Sequence, residues 1–138
     1  MLTTLAAFAT LVILLVWMGF FMLGSLPLLI LSHDTPLDAR FIRGLFDVYY
    51  KAVMVAAAAG TAAHAAAGRA ATMAAMAGIG LIAFCSRRAI LSRMDELRAQ
   101  MTASDGARIR QFRRLHVWGM VLNFGQLLAV CFGLASVL

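Results

Sequence analysis

Residues 1–21 read MLTTLAAFATLVILLVWMGFF, a run without a charged side chain that continues as mostly apolar sequence to residue 31. A helix needs about 20 apolar residues to cross the hydrocarbon core of a bilayer, which is about 30 Å thick. No basic residue precedes the run, and the run is far longer than the roughly 7–15 apolar residues of a signal peptide. It therefore predicts a retained transmembrane helix over residues 2–31.

The rest of the chain has the same character. Of its 138 residues, 63% are hydrophobic and 13% are charged, whereas soluble domains are about 45–50% apolar and about 25% charged. Three further apolar helices are predicted at 41–66, 70–100 and 107–138. A basic amphipathic segment forms the last part of the helix at 70–100. We predict an all-α integral membrane protein, a four-helix antiparallel bundle with four spans that forms one domain over residues 1–138.

The basic residues indicate the topology. The joint before the second helix has two arginines, the joint before the fourth has eight, and the opposite side has Arg69. Cytoplasmic joints are the ones enriched in Lys and Arg. The arginine-rich joints are therefore predicted to be cytoplasmic and both termini periplasmic. The Ala- and Arg-rich composition and the lack of an organelle signal favour a bacterial inner membrane. The arginines flank apolar segments, which predicts a lipid bilayer and no nucleic acid as the partner.

Small residues recur at helical spacing in the second and third helices. Gly60, Ala63 and Ala67 form one such row, and Ala74 and Gly78 form another. Rows of this kind let helix backbones approach closely within a membrane. They predict a tight hairpin of the second and third helices and allow assembly as a homo-oligomer or within a larger membrane complex.

The histidines are the first candidates for a cofactor site. His33 ends the first helix and His116 opens the fourth, on the same side of the membrane, so the pair could hold haem or copper. Met120 follows His116 by one helical turn, which suits a soft metal. The alternative is an interfacial histidine on a helix contact face.

Other polar side chains lie in or beside the apolar segments. Asp47, with Lys51 one turn later, and Tyr50 lie near the same interface as Arg114 and His116. A polar cluster of Asp47, Tyr50, Arg114 and His116 would form either a proton or substrate site or a clasp between helix ends. Asn123 and Gln126 lie deeper and are predicted to bond to a neighbouring helix, or else to a cofactor. The candidate polar contact residues are Asp47, Tyr50, Lys51, Arg114, His116, Asn123 and Gln126.

No residues point to catalysis. The sequence contains no GxSxG, P-loop or GxGxxG motif and no pair of carboxylates within a helix interior. The residues favour a non-enzymatic accessory or scaffold subunit without catalytic residues. The alternatives are a haem- or copper-binding redox or metal-handling protein that uses His33 and His116, and a small oligomeric transporter or efflux component.

Two segments resemble a known family. FRRLHVWGMVLNFGQLL at 112–128 looks like the last helix of a bacterial membrane family described as domain of unknown function 4149, which is related to eukaryotic transmembrane protein 205. LFDVYYK at 45–51 is similar to the opening of that family's second helix. The residues that match in the last helix are Phe112, Leu115, His116 and Asn123.

The resemblance covers the four-helix layout and departs at three positions. Asp47 stands where the family has Pro, and Trp118 and Gly119 stand where it has small residues or Ser. The resemblance implies a fold without a mechanism, because that family has no assigned reaction. A looser likeness to copper-resistance membrane proteins and to anthrone-oxygenase-like four-helix proteins implies metal or redox chemistry.

Overall fold

The computed structural model describes residues 2–30, 36–100, 102 and 105–135, apart from the side chain of Pro36. These residues form four helices and no strand, which confirms the predicted all-α class. Helices α1, α3 and α4 are each long and apolar enough to cross a membrane. The helices are α1 (Leu2–Leu28), α2 (Pro36–Ala66), α3 (Ala70–Gln100) and α4 (Gly106–Ala135).

The charged and the apolar residues of α2 are divided between its two halves. Its first half has the charged residues of the arginine-rich end, so its alanine-rich apolar part covers only 52–66. Three helices rather than the predicted four therefore qualify as spans by hydropathy. Helix α2 packs between α1 and α3, which both qualify as spans.

The hairpin of α2 and α3 is the closest pairing in the bundle. Arg43 near the start of α2 bonds Asp95 near the end of α3. Near the other end, Gly60 leaves only 3.0 Å between the position of a Cβ and the sulfur of Met76. Gly78, in contrast, has no neighbour within 4 Å of that position and faces away from α2. The prediction that Gly78 brings the two backbones together is therefore wrong. Small residues lie on several sides of the first part of α3, so they do not determine which side meets α2.

Helix α4 closes the ring of helices by packing between α1 and α3. The guanidinium of Arg113 donates to the carbonyl of Leu29, and the side chain of Asn123 donates to the carbonyl of Met18. Later positions along α4 thus meet earlier positions along α1, so the two helices are antiparallel. The consecutive helices alternate in direction around the ring.

Two helix boundaries differ from the prediction. Helix α2 begins at Pro36 rather than at residue 41. Proline is favoured at the first helical position because its φ is fixed near the helical value, and Asp38 in the first turn interacts favourably with the helix dipole. Helix α1 ends at Leu28, and residues 29 and 30 form a turn.

Local sequence explains where α2 ends and where α4 begins. Gly68 has a φ of 70°, a conformation that side chains disfavour, and it ends α2 in a Schellman motif. In that motif the N–H of Arg69 bonds the carbonyl of His64 at 2.9 Å, and the N–H of Gly68 bonds that of Ala65 at 3.0 Å. At the start of α4 the carboxylate of Asp105 accepts the backbone N–H of Arg108 at 3.2 Å, so Asp105 is the N-cap.

Candidate functional site

Aromatic rings fill the bundle axis at the arginine-rich end. Phe21 of α1 stacks on Tyr49 of α2 with ring centroids 3.9 Å apart and meets Phe46 edge to face at 5.1 Å. Phe46 meets the ring of His116 edge to face at 5.5 Å. Tyr50 lies beside Tyr49 at 5.2 Å. We call these five buried residues the aromatic cluster; edge-to-face and offset packing of this kind is the favourable arrangement of such rings.

Gly119 allows the aromatic cluster to reach α4. A Cβ at this position would lie 2.1 Å from Cε1 of Phe46 and 2.8 Å from its Cζ. No side chain other than hydrogen fits under the ring without movement. The phenyl group of α2 therefore packs directly on the backbone of α4, across the bundle axis.

Asn123 joins three helices. Its Oδ1 accepts a hydrogen bond from the hydroxyl of Tyr49 on α2. Its Nδ2 donates to the carbonyl of Met18 on α1 at 3.3 Å and lies 3.7 Å from the sulfur of Met22. A buried amide in a membrane protein needs such partners because lipid offers none. The described hydrogen bonds of Asn123 are thus with neighbouring helices. A neighbouring helix was the first of the two partners that the sequence predicts for this residue, and a cofactor was the second.

Gln126, one turn deeper, is less completely bonded. It is 7% exposed, and its Nε2 donates to the carbonyl of Ile79 on α3 over a long 3.5 Å. Within the described residues its carbonyl oxygen accepts no hydrogen bond. The side chain lines an open groove of about 400 Å³ between α3 and α4, which we call the α3–α4 groove. The walls of this groove are Ala75, Gly78, Ile79, Ile82, Val121, Leu122, Gly125, Gln126 and Ala129.

Asp47 is the centre of a charged contact between α2 and α3. Its carboxylate lies 2.7 Å from the ammonium of Lys51 and 2.7 Å from the guanidinium of Arg87, with Arg43 at 4.0 Å. The hydrogen bond from Lys51 and that from Arg87 hold the pKa of Asp47 below its usual range, although burial opposes this shift. Asp47 is therefore a carboxylate at neutral pH.

A second carboxylate extends the contact away from the apolar part of the bundle. Asp95 of α3 accepts bonds from Nε and Nη2 of Arg43 at 3.0 and 2.9 Å, and Arg98 lies 3.5 Å away. The hydrogen bond with Asp95 raises the pKa of Arg43. Two-pronged Arg–carboxylate bonds are strong and directional. Asp47 and Asp95, together with Arg43 and Arg87 that bond them, form what we call the α2–α3 clasp.

The predicted cluster of Asp47, Tyr50, Arg114 and His116 does not form as a unit. Asp47 faces the arginines of α3, whereas Tyr50 and His116 belong to the aromatic cluster. The hydroxyl of Tyr50 has no hydrogen-bond partner among the described residues. Arg114 lies on the exposed outer face of α4, where its guanidinium stays solvated. The described contacts of Asp47 are thus separate from those of Tyr50 and His116. The helix rotations that set these faces are not visible in a single segment.

Arg43, Arg87 and Asp95 are the contact residues that the sequence prediction missed. A signal for them exists in the numbering around the Gly68 turn. Asp47 precedes Gly68 by 21 residues and Arg87 follows it by 19. In an antiparallel hairpin these positions lie side by side, so opposite charges at similar distances from the turn predict a pair.

The predicted cofactor residues are only partly described. His33 lies outside the described residues, so the pairing of His33 with His116 stays a prediction. His116 and Met120 are both buried on one face of α4, one turn apart. Among the described residues, no three His, Cys, Asp or Glu side chains are close enough to hold one metal ion.

No protein-family model matches the chain, and no curated protein and no solved structure is significantly similar to it.

Proposed function

We propose that this protein is a non-enzymatic, self-associating helical scaffold of a bacterial inner membrane. The observation that supports this role is that several polar side chains join neighbouring helices. Asn123 bonds α1 and α2, and the carboxylates of Asp47 and Asp95 bond α2 to α3. Side chains committed to contacts between helices stabilise a rigid bundle and are not free to take up a substrate or a proton.

The orientation of the scaffold follows from the distribution of arginines. Ten of the eleven arginines lie at one end of the bundle. By the positive-inside rule this end faces the cytoplasm, and both termini face the periplasm.

Self-association is supported by the α3–α4 groove. Gly78 and Gly125 face open space there, because nothing lies within 4 Å of a Cβ at either position. The carbonyl oxygen of Gln126 lacks a hydrogen bond within the described residues, and an amide at this depth favours a polar partner. In a two-fold symmetric dimer each residue can meet its own copy. We infer that two copies pair along this groove with the Gln126 carboxamides bonded to each other.

The test is the oligomeric state of the full chain in mild detergent, measured by size exclusion with light scattering over a range of concentrations. We expect a dimer. Gln126→Leu removes the amide pair and weakens the dimer about tenfold, since such bonds contribute about 1–2 kcal/mol in model helices. Gly78→Leu/Gly125→Leu fills the groove and yields monomer.

The matched control is Gly19→Leu/Gly24→Leu in α1, where nothing lies within 4 Å of a Cβ either. This pair adds the same volume to an apolar helix away from the groove and leaves the dimer intact. A parent protein that stays monomeric at every concentration contradicts self-association. Equal effects of the two double variants contradict the assignment to this groove.

A second function is supported by the buried pair His116 and Met120. An imidazole and a thioether one turn apart suit Cu(I) or haem iron, and His33 would supply a further ligand. The absorbance spectrum and the metal content of the purified protein test this function. A Soret band or stoichiometric copper that is lost in His116→Ala supports it, and protein without either contradicts it.

A further inference from the structure

The outer face of α4 at the arginine-rich end has a shallow basic cavity. It has a volume of about 290 Å³ and is lined by Arg110, Arg113, Arg114, Val117 and Trp118. These positions follow the spacing i, i+3, i+4, i+7 and i+8, so they share one side of the helix. We call this feature the basic cavity.

The charge of the basic cavity is not balanced by the protein. In the part of the chain that the structure describes, no carboxylate forms an ion pair with Arg110, Arg113 or Arg114. Arginines of the α2–α3 clasp, by comparison, each pair with Asp47 or Asp95. Arg113 also donates to the carbonyl of Leu29 at 2.9 Å, which fixes the cavity against α1. Three adjacent guanidinium groups without a counter-charge attract an anion.

An apolar groove lies next to the basic cavity, at later positions along α4. It has a volume of about 350 Å³ and lies between α1 and α4. Val117 lines both spaces, so they are neighbours along α4. All of the side chains that line this α1–α4 groove are apolar, and they are Met22, Leu29, Val117, Met120, Val121 and Phe124.

The length of the combined feature matches one leaflet. Arg114 and Phe124 are ten residues apart, which corresponds to about 15 Å along a helix. This distance is half of a hydrocarbon core about 30 Å thick. Trp118 lies between the charged and the apolar parts, at the level where Trp side chains favour the membrane interface. An anion bound by the arginines therefore sits at headgroup depth, with a groove for one chain below it.

We propose that the basic cavity and the α1–α4 groove together bind one anionic phospholipid. Its phosphate contacts the guanidinium groups of Arg110 and Arg114, and one acyl chain lies in the groove. Charge complementarity selects an anionic headgroup, and the neighbouring apolar groove selects a lipid over a free phosphate ion. The site lies on the α1 side of α4, and of the residues that line the α3–α4 groove it shares Val121.

The experiment measures thermal unfolding of the purified full chain in mild-detergent micelles titrated with dioleoyl phosphatidylglycerol. Parallel titrations use dioleoyl phosphatidylcholine and inorganic phosphate. Binding to the folded state raises the unfolding temperature in a concentration-dependent way. We expect a saturable rise with phosphatidylglycerol that neither of the other two additives produces.

The test variant is Arg110→Gln/Arg114→Gln, which spares the bond of Arg113 to α1. A basic residue near an anionic lipid surface contributes about fivefold in affinity, so this variant should bind phosphatidylglycerol about 25-fold more weakly. The matched control is Arg40→Gln/Arg88→Gln, which removes the same charge from exposed positions elsewhere. It should retain the affinity of the parent protein.

Several results would overturn the proposal. If phosphatidylcholine raises the unfolding temperature as much as phosphatidylglycerol does, the site does not select an anionic headgroup. If inorganic phosphate raises it equally, the site binds an anion and not a lipid. Equal losses in the two arginine double variants indicate diffuse attraction to the charged bundle. A change of oligomeric state in the test variant that is independent of lipid assigns this face to a second copy of the chain.

A second measurement needs no arginine variant. The chain has two tryptophans, so Trp17→Phe leaves Trp118 as the single reporter beside the cavity. Bromine atoms on acyl chains quench a nearby indole. We expect brominated phosphatidylglycerol to quench Trp118 at a lower mole fraction than brominated phosphatidylcholine does. Identical quenching curves contradict the site.

Discussion

The hydrogen bond between Tyr49 and Asn123 allows a quantitative test of the packing. Tyr49→Phe removes one interhelical bond, and Asn123→Leu removes that bond and the bond to the carbonyl of Met18. Such bonds contribute about 0.6 kcal/mol on average in a membrane, with a maximum of about 1.7 kcal/mol. Asn123→Leu also leaves the hydroxyl of Tyr49 buried without a partner, at a further cost of about 1–3 kcal/mol.

These values predict destabilisation by about 0.6–1.7 kcal/mol for Tyr49→Phe and by about 2–4 kcal/mol for Asn123→Leu. The double variant leaves no unpartnered hydroxyl, so its loss should fall short of the sum of the two single losses by about 1 kcal/mol or more. The assay is reversible unfolding of the bundle in mixed micelles of mild detergent and dodecyl sulfate, followed by circular dichroism. Losses that add within about 0.3 kcal/mol would refute the reasoning.

Three further predictions concern other contacts. Gly119→Ala should destabilise the bundle by about 1–3 kcal/mol in the same assay, because the methyl group overlaps the ring of Phe46; Gly19→Ala, in open space, is the control. Gly68→Ala should destabilise it by about 1–2 kcal/mol, because φ is 70° there; an effect equal to that of Gly44→Ala contradicts this. Asp47→Asn should lower stability at neutral pH and match the parent in acid. The folded-state pKa of Asp47 is depressed, so its contribution is present above the unfolded pKa of about 4 and is lost as pH falls through the folded value. A difference that persists unchanged in acid contradicts the ionic clasp.

Much of the fold follows from the sequence alone. The uncharged run at 1–21 and two later apolar segments favour lipid over water. A bilayer offers no hydrogen-bond partner to a free backbone group, so these segments must be helical. The turn at Gly68 and the cap at Asp105 are equally local, since each depends on the φ or the side chain of one residue. Features of this kind depend only on neighbours in the chain, so sequence patterns predict them.

Tertiary structure decided which side chains meet. Asp47 pairs with Arg87 rather than Arg114, and Gly78 faces the α3–α4 groove rather than α2. Both outcomes depend on how each helix is rotated about its own axis. Small residues cover α3 on several sides and therefore do not determine that rotation. The large side chains that α3 buries, such as Met76 and Met94, favour one rotation instead. The sequence specified four helices and their directions, and the fit of a few rings and amides between them selected the contacts.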